Sequence, residues 1–146
     1  MTPQYTPGGG GDNLLSGLVG ASLSWNEITV EIYRATNTDG ASIVYILSTG
    51  DIICSADMSQ SFRNFTALKE IDFNNFQITS ATTNLAYMFY NCSSLIELDV
   101  THFVTTNVLD MQQMFNGCSM LTSLDLSNFD RTNVTNMSHI FNNCFN

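Results

Sequence analysis

Leu121-Thr-Ser-Leu-Asp-Leu-Ser-Asn-Phe-Asp-Arg-Thr-Asn-Val-Thr-Asn-Met-Ser-His-Ile-Phe-Asn-Asn-Cys144 is one unit of a repeat, and the rest of the chain is read from it. The same anchors return upstream. Phe62, Phe89, Phe115 and Phe141 are separated by 27, 26 and 26 residues. Leu68, Leu95 and Leu121 keep that step, as do Ile71, Leu98 and Leu124, then Asp72, Asp99 and Asp125, then Phe76, Phe103 and Phe129. Cys92, Cys118 and Cys144 fall 26 apart, with Phe65 in the matching slot of the first unit. A fixed period of this length is the signature of a solenoid, in which each unit buries its apolar edge against its neighbours.

Each unit divides into three parts. The segments Met58-x-x-x-Phe62, Leu85-x-x-Met88-Phe89, Met111-x-x-Met114-Phe115 and Met137-x-x-Ile140-Phe141 carry apolar residues at helical spacing and predict four short helices with a core stripe. A Met stripe also suits an adaptable binding surface, but its regular recurrence favours core. The segments Leu68–Phe73, Leu95–Val100 and Leu121–Leu126 follow L-x-x-L-x-L and predict short strands with alternate residues turned outward. A polar return loop follows, starting at Phe76, Phe103 or Phe129 and rich in Asn and Thr, which bond their own backbone in turns.

The region upstream is not itself repetitive. Residues 1–13 hold both prolines and four of the nine glycines, and read as an arm; Pro3, Tyr5 and Pro7 are its candidate anchoring residues. Residues 14–55 form a candidate cap for the open edge of the first unit: a helical turn at Leu14–Val19, alternating strands at Trp25–Arg34 and Ser42–Leu47, and a third short strand at Asp51–Cys54. Residues 56–146 are the repeats, about three and a half units. The expected fold class is α/β, a short solenoid of leucine-rich-repeat kind. The last unit reaches Asn146 with no cap, which creates the expectation that another subunit covers that end or that the sequence is a fragment of a longer chain.

Composition narrows function. The chain of 146 residues is 44% hydrophobic, as a globular protein is. Four Lys+Arg against 13 Asp+Glu give a net charge of −9, so no basic stripe exists for nucleic acid or anionic lipid. No stretch approaches the length of a membrane span, and Leu14–Leu23 lacks the preceding cation of a secretory signal. No Ser-His-Asp order, phosphate loop or H-E-x-x-H occurs, His102 and His139 sit at different phases of the repeat, and no enzyme is expected.

Stacking of the units predicts an outward face of Glu70, Asp72, Glu97, Asp99, Ser123 and Asp125, the candidate interaction face. It is also where a weak Ca2+ site would fit, though no cofactor is expected. Paired carboxylates suit glycoside hydrolysis, yet an open sheet offers no pocket for it. The bland alternative is a solvated face whose aspartates bond nearby backbone. The repeated cysteines predict small buried thiols, with Cys92–Cys118 or Cys118–Cys144 disulfides as the alternative and no C-x-x-C spacing for zinc.

The unit Leu-x-x-Leu-Asp-Leu-Ser-Asn-Phe-Asp-x-Thr-Asn-Val-Thr-Asn-Met-x-x-x-Phe-x-x-Cys resembles the repeat of the BspA-like leucine-rich-repeat surface proteins. Leu121–Cys144 matches best, Leu95–Cys118 closely, and Leu68–Cys92 more loosely, with Ile78-Thr-Ser-Ala-Thr-Thr-Asn-Leu85 in place of the usual loop. The resemblance implies an external location, on bacterial surfaces or in phage particles, an adhesive role and no catalytic motif. The stretch Asp12–Val19 is similar to leaders before such repeats in gut-phage virion proteins. The expectation is therefore a non-enzymatic structural or recognition protein, foremost a phage fibre, tail or decoration component, with a secreted bacterial adhesin as the alternative. Its expected partners are other protein subunits and a host-surface protein or glycan, with no nucleic acid and no membrane insertion.

Overall fold

The computed structural model describes residues 22–25, 28–36, 42–48, 52–54, 56–73 and 76–144. The arm at residues 1–13 and the helical turn at 14–19 lie outside them. The side chains of the N-terminal strands and of Asp72 are likewise outside the description.

Six strands are present: β1 (Ser22–Trp25), β2 (Ile28–Thr36), β3 (Ser42–Ser48), β4 (Ile52–Ile53), β5 (Leu68–Asp72) and β6 (Phe76–Gln77). Alternating β-branched residues give β2 and β3 their extended form. They pair antiparallel with Ile32 opposite Ile46 and Tyr33 opposite Tyr45. β1 pairs antiparallel with β2, Trp25 facing Ile28, so the single strand expected at Trp25–Arg34 is split. β5 then adds to β3 in parallel, with Val44 opposite Ile71, giving the order β1-β2-β3-β5. The antiparallel sheet thus continues directly into the first repeat. A second parallel pair joins β4 to β6.

The four predicted helices are absent: no helix occurs among the described residues. Every fourth residue of these segments has positive φ, at Gln60 and Asn64, Tyr87 and Asn91, Gln113 and Gly117, and His139 and Asn143. A right-handed helix cannot pass through such residues. The segments are instead runs of turns. Met88 N–H donates to the Leu85 carbonyl at 3.2 Å with Tyr87 at the third position (φ 59°), the signature of a type II turn. Cys92 and Phe89 repeat it around Asn91, and Cys118 and Phe115 around Gly117.

The intervening N–H groups point to the next unit. Met58, Gln60, Phe62 and Asn64 donate to the carbonyls of Asn84, Ala86, Met88 and Tyr90 at 2.8–3.0 Å. Leu85, Tyr87, Phe89 and Asn91 donate to Asp110, Gln112, Met114 and Asn116, and Met111, Gln113, Phe115 and Gly117 to Asn136, Ser138, Ile140 and Asn142. Each donor meets the residue just before its own equivalent in the following unit. Backbone satisfaction is therefore between units where a helix would keep it within one.

The predicted strands at Leu95–Val100 and Leu121–Leu126 are not strands either. Ile96 N–H donates to the Lys69 carbonyl at 3.0 Å, but no continuous ladder forms there among the described residues. The first segment of this pattern, Leu68–Asp72, is a strand because β3 lies beside it; the two later segments are not assigned to strands. The inward positions are nevertheless as expected: Leu95, Leu98 and Val100 are buried while Glu97 and Asp99 are exposed.

The core is continuous from Cys54 to Ile140. Its axis is a phenylalanine column: Phe62 and Phe89 stack 5.4 Å apart at 5°, Phe89 and Phe115 5.7 Å apart at 3°, and Phe115 and Phe141 5.8 Å apart at 4°. Phe73 meets Phe62, Phe89 and Phe103 edge-on. Met58, Leu85, Met111 and Met114 fill the space around it, all fully buried.

Stacking also explains the composition. Amides and hydroxyls of successive units come within hydrogen-bonding reach of one another and of the neighbouring backbone. Asn91 Nδ2 donates to Asn64 Oδ1 at 3.2 Å, Asn107 Nδ2 to the Ser80 carbonyl and Asn133 Nδ2 to the Thr106 carbonyl, both at 2.8 Å. The column Asp57, Asn84, Asp110, Asn136, joined by parallel bridges, alternates carboxylate with amide. Each of its Oδ1 atoms accepts the backbone N–H two residues on, at 2.8–3.1 Å. Asn84→Asp keeps that acceptor but sets three carboxylates in a row. The expected cost is about 1–2 kcal/mol at pH 7, of the order of two like-charge pairs some 5 Å apart in water. Repulsion raises the carboxyl pKa, so the loss should shrink as pH falls through it toward 4. Equal destabilisation at pH 7 and pH 4 in urea melts would rule the repulsion out.

Candidate functional site

The expected acidic face is exposed at Glu70, Glu97, Asp99, Ser123 and Asp125, while the Asp72 side chain lies outside the described residues. Its aspartates are engaged in local turns. Asp99 Oδ1 accepts from the Thr101 hydroxyl at 2.6 Å and the Thr101 N–H at 2.9 Å. Asp125 Oδ1 accepts the Ser127 N–H at 2.8 Å, and Asp130 Oδ1 the Thr132 N–H at 2.8 Å. The Thr101 hydroxyl and then its N–H hold Asp99 below the usual carboxylate range. The Ser127 N–H does the same for Asp125 against a small opposing push from Asp99, and the Thr132 hydroxyl for Asp130. Among the described residues no three His, Cys, Asp or Glu side chains converge as metal ligands. Ser123 instead lines an open depression with Leu121, Thr122, Leu124, Phe141 and Cys144. His102 and His139 are exposed and far apart in the repeat, His102 edge-on to Phe103.

The cysteine column is free thiol throughout, as is Cys54. Cys92 Sγ donates to the Phe62 carbonyl at 3.0 Å, Cys118 Sγ to Phe89 at 3.2 Å and Cys144 Sγ to Phe115 at 2.7 Å. Each thiol thus ties its unit to the phenylalanine of the one before. Burial pushes Cys54 and Cys92 up to about 12, and raises Cys118 and, less completely enclosed, Cys144. Cys92, Cys118 and Cys144 are structural donors, and all four thiols hold little thiolate. Iodoacetamide at pH 8 should modify Cys144 first, with Cys54, Cys92 and Cys118 modified only on unfolding; peptide mass spectrometry reads the order. Early native-state labelling of Cys118 would contradict this placement.

A second cluster lies on the face formed by the turns and was not among the sequence candidates. Arg63 spreads its guanidinium over Tyr87 and Tyr90, 5.5 and 5.1 Å from the ring centroids. The two rings are 5.7 Å apart and tilted by 60°. Arg63 Nη1 donates to Gln60 Oε1 at 2.8 Å. The Tyr87 hydroxyl accepts from Gln112 Nε2 at 3.0 Å and Gln113 Nε2 at 3.3 Å. Gln113 Oε1 accepts from Asn116 Nδ2, and Gln112 Oε1 from Asn136 Nδ2, each at 3.0 Å. The cluster joins side chains of four consecutive units, which fixes its geometry through the stack beneath it. Its signal in the sequence is a break in periodicity: Tyr87 stands in the column of Gln60, Gln113 and His139, and Tyr90 in the column of Arg63, Asn116 and Asn142.

The model of a family described as "Mycoplasma protein of unknown function, DUF285" matches residues 56–146. No curated protein and no solved structure matches.

Proposed function

The chain belongs to the DUF285 family, and from that membership we propose that it is a non-enzymatic surface protein of the BspA-like kind, whose repeats form a leucine-rich-repeat-like solenoid and present a recognition face. The observation that carries the proposal is the family match over the whole repeat region. Support comes from the inter-unit ladder at Met58–Asn64, Leu85–Asn91 and Met111–Gly117, which propagates one backbone path through successive units. The outward aspartates serve turns, which favours a scaffold over acid–base chemistry.

The partners that fit are other protein subunits or a host-surface protein or glycan. Of the two external settings, a bacterial cell surface and a phage particle, the family description written for a Mycoplasma protein favours the first. Protease shaving of intact producing cells, with mass spectrometry of released peptides and of purified particles, tests the reading. Peptides from residues 56–146 released from intact cells support a surface protein. Fixed stoichiometry in particles would move it to the virion. Recovery solely from the cell interior would overturn the external role.

A further inference from the structure

We propose that Asn116 is a deamidation site whose reaction is gated by local release of the last turn run, Met137–Asn143. The inference stands apart from the surface role proposed above.

Asn116-Gly117 is the one Asn-Gly pair in the sequence. Intramolecular deamidation needs the backbone nitrogen of the following residue to reach the asparagine Cγ. A following glycine hinders this least, because it has no side chain and leaves the backbone free to turn. The Gly117 nitrogen gives its proton to hydroxide and bonds to Asn116 Cγ. The Cγ–Nδ2 bond breaks, and Nδ2 takes a proton from water and leaves as ammonia. Water then opens the resulting succinimide. Opening at Cγ leaves aspartate, and opening at the backbone carbonyl carbon leaves isoaspartate.

The folded stack withholds each part of this step. The Gly117 N–H is held by the Asn142 carbonyl at 2.8 Å. Asn116 is buried, its Nδ2 donates to Gln113 Oε1 at 3.0 Å, and its carbonyl accepts the Asn91 N–H at 2.7 Å. The target is thus fixed by the unit before and the nucleophile by the unit after.

The hold on Gly117 comes from the run with the least support. Met137 and Phe141 are 38% and 42% exposed, whereas their equivalents Met111 and Phe115 are 0% exposed. Among the described residues, no backbone carbonyl meets the N–H groups of Met137, His139, Phe141 and Asn143. Segments with few buried contacts and open backbone groups detach at lower free energy than the core they lie on. Release of this run frees the Gly117 N–H while the column from Phe62 to Phe115 stays folded. The reaction also makes the release permanent. Isoaspartate adds a methylene to the backbone between the Asn91–Asn116 and Gly117–Asn142 bonds, so the two no longer keep one register.

The test incubates the intact chain at pH 8 and reads aspartate and isoaspartate at position 116 by peptide mass spectrometry. Conversion in the folded chain should be about tenfold or more slower than in guanidinium chloride above the unfolding transition. Below the transition, the rate should rise with denaturant on a slope well under the equilibrium m value, because only the last run is exposed. Phe141→Ala should raise the folded-state rate about fivefold, in line with its expected loss of stability. Equal rates in the folded and unfolded chain would overturn the gating. A slope equal to m would replace local release with global unfolding, and an unchanged rate in Phe141→Ala would remove the last run from the mechanism. The first two comparisons use the wild-type chain, so a folding defect in the variant cannot mimic them.

Discussion

Phe89→Ala is expected to be the most damaging conservative truncation in the protein, costing about 4 kcal/mol or more in urea unfolding followed by circular dichroism. Phe89 is 0% exposed and sits at the middle of the column, stacked on Phe62 and Phe115 and met edge-on by Phe73. Phe→Ala in a close-packed core costs about 3–5 kcal/mol from lost transfer and the cavity left behind. Two stacked faces add about 0.5–1.5 kcal/mol each beyond area. Against a domain stability of about 5–15 kcal/mol this is a large share. Phe141→Ala is the internal comparison: Phe141 is 42% exposed and, among the described residues, stacks on Phe115 alone, so about 1 kcal/mol is expected. Similar losses at the two positions would mean that the column is not a continuous support.

The second large effect is expected at Gly117. Its φ is +80°, and a Cβ there would lie 3.2 Å from the Asn91 Cα and 3.4 Å from the Asn91 nitrogen, both backbone atoms of the preceding unit. Gly117→Val combines a left-handed backbone cost of about 1–2 kcal/mol with overpacking worth about 1–3 kcal/mol. A loss of about 3 kcal/mol should follow, together with weakening of the Gly117 N–H bond to the Asn142 carbonyl, now 2.8 Å. Gly117→Asn should cost only about 1 kcal/mol, because Asn tolerates positive φ and already fills this slot as Asn64, Asn91 and Asn143. Valine and asparagine variants of equal stability would show that the backbone at this position is not left-handed.

These two sites also show how far the sequence could be read. The phenylalanine column was legible because stacking puts identical residues in register, and the step between Phe62, Phe89, Phe115 and Phe141 reports it directly. The same holds for the inward Leu95, Leu98 and Val100 and for the buried thiols of Cys92 and Cys118. Helices were expected wrongly because Leu85, Met88, Phe89 and Cys92 turn inward equally well in a helix and in a run of four-residue turns. The discriminating signal was the repeated Asn or Gly at position 64, 91, 117 and 143, residues that tolerate positive φ. Two helix breakers per segment, Tyr87 and Asn91 for example, leave no uninterrupted helical turn.

The acidic face was placed outward correctly at Glu97 and Asp99, but its aspartates serve their own turns. The Arg63 cluster was missed for the opposite reason. Periodicity reveals what repeats, whereas this cluster is made of residues that break their columns. Arg63, Tyr87 and Gln112 come from three different units and meet only because the stack sets positions roughly 25 residues apart side by side. Below the cluster lies the regular stack, and above it stand side chains that differ from unit to unit.

The stack itself can be observed directly through scalar couplings carried across hydrogen bonds between amide nitrogen and carbonyl carbon. For Phe89 the acceptor is the Met114 carbonyl at 2.9 Å, and for Phe115 it is the Ile140 carbonyl at 3.1 Å. Cross-peaks joining Phe89 N to Met114 C′ and Phe115 N to Ile140 C′ are the expected result. Coupling of Phe89 N to Leu85 C′, the partner four residues back that an α-helix would provide, would contradict the stack and the sites built on it.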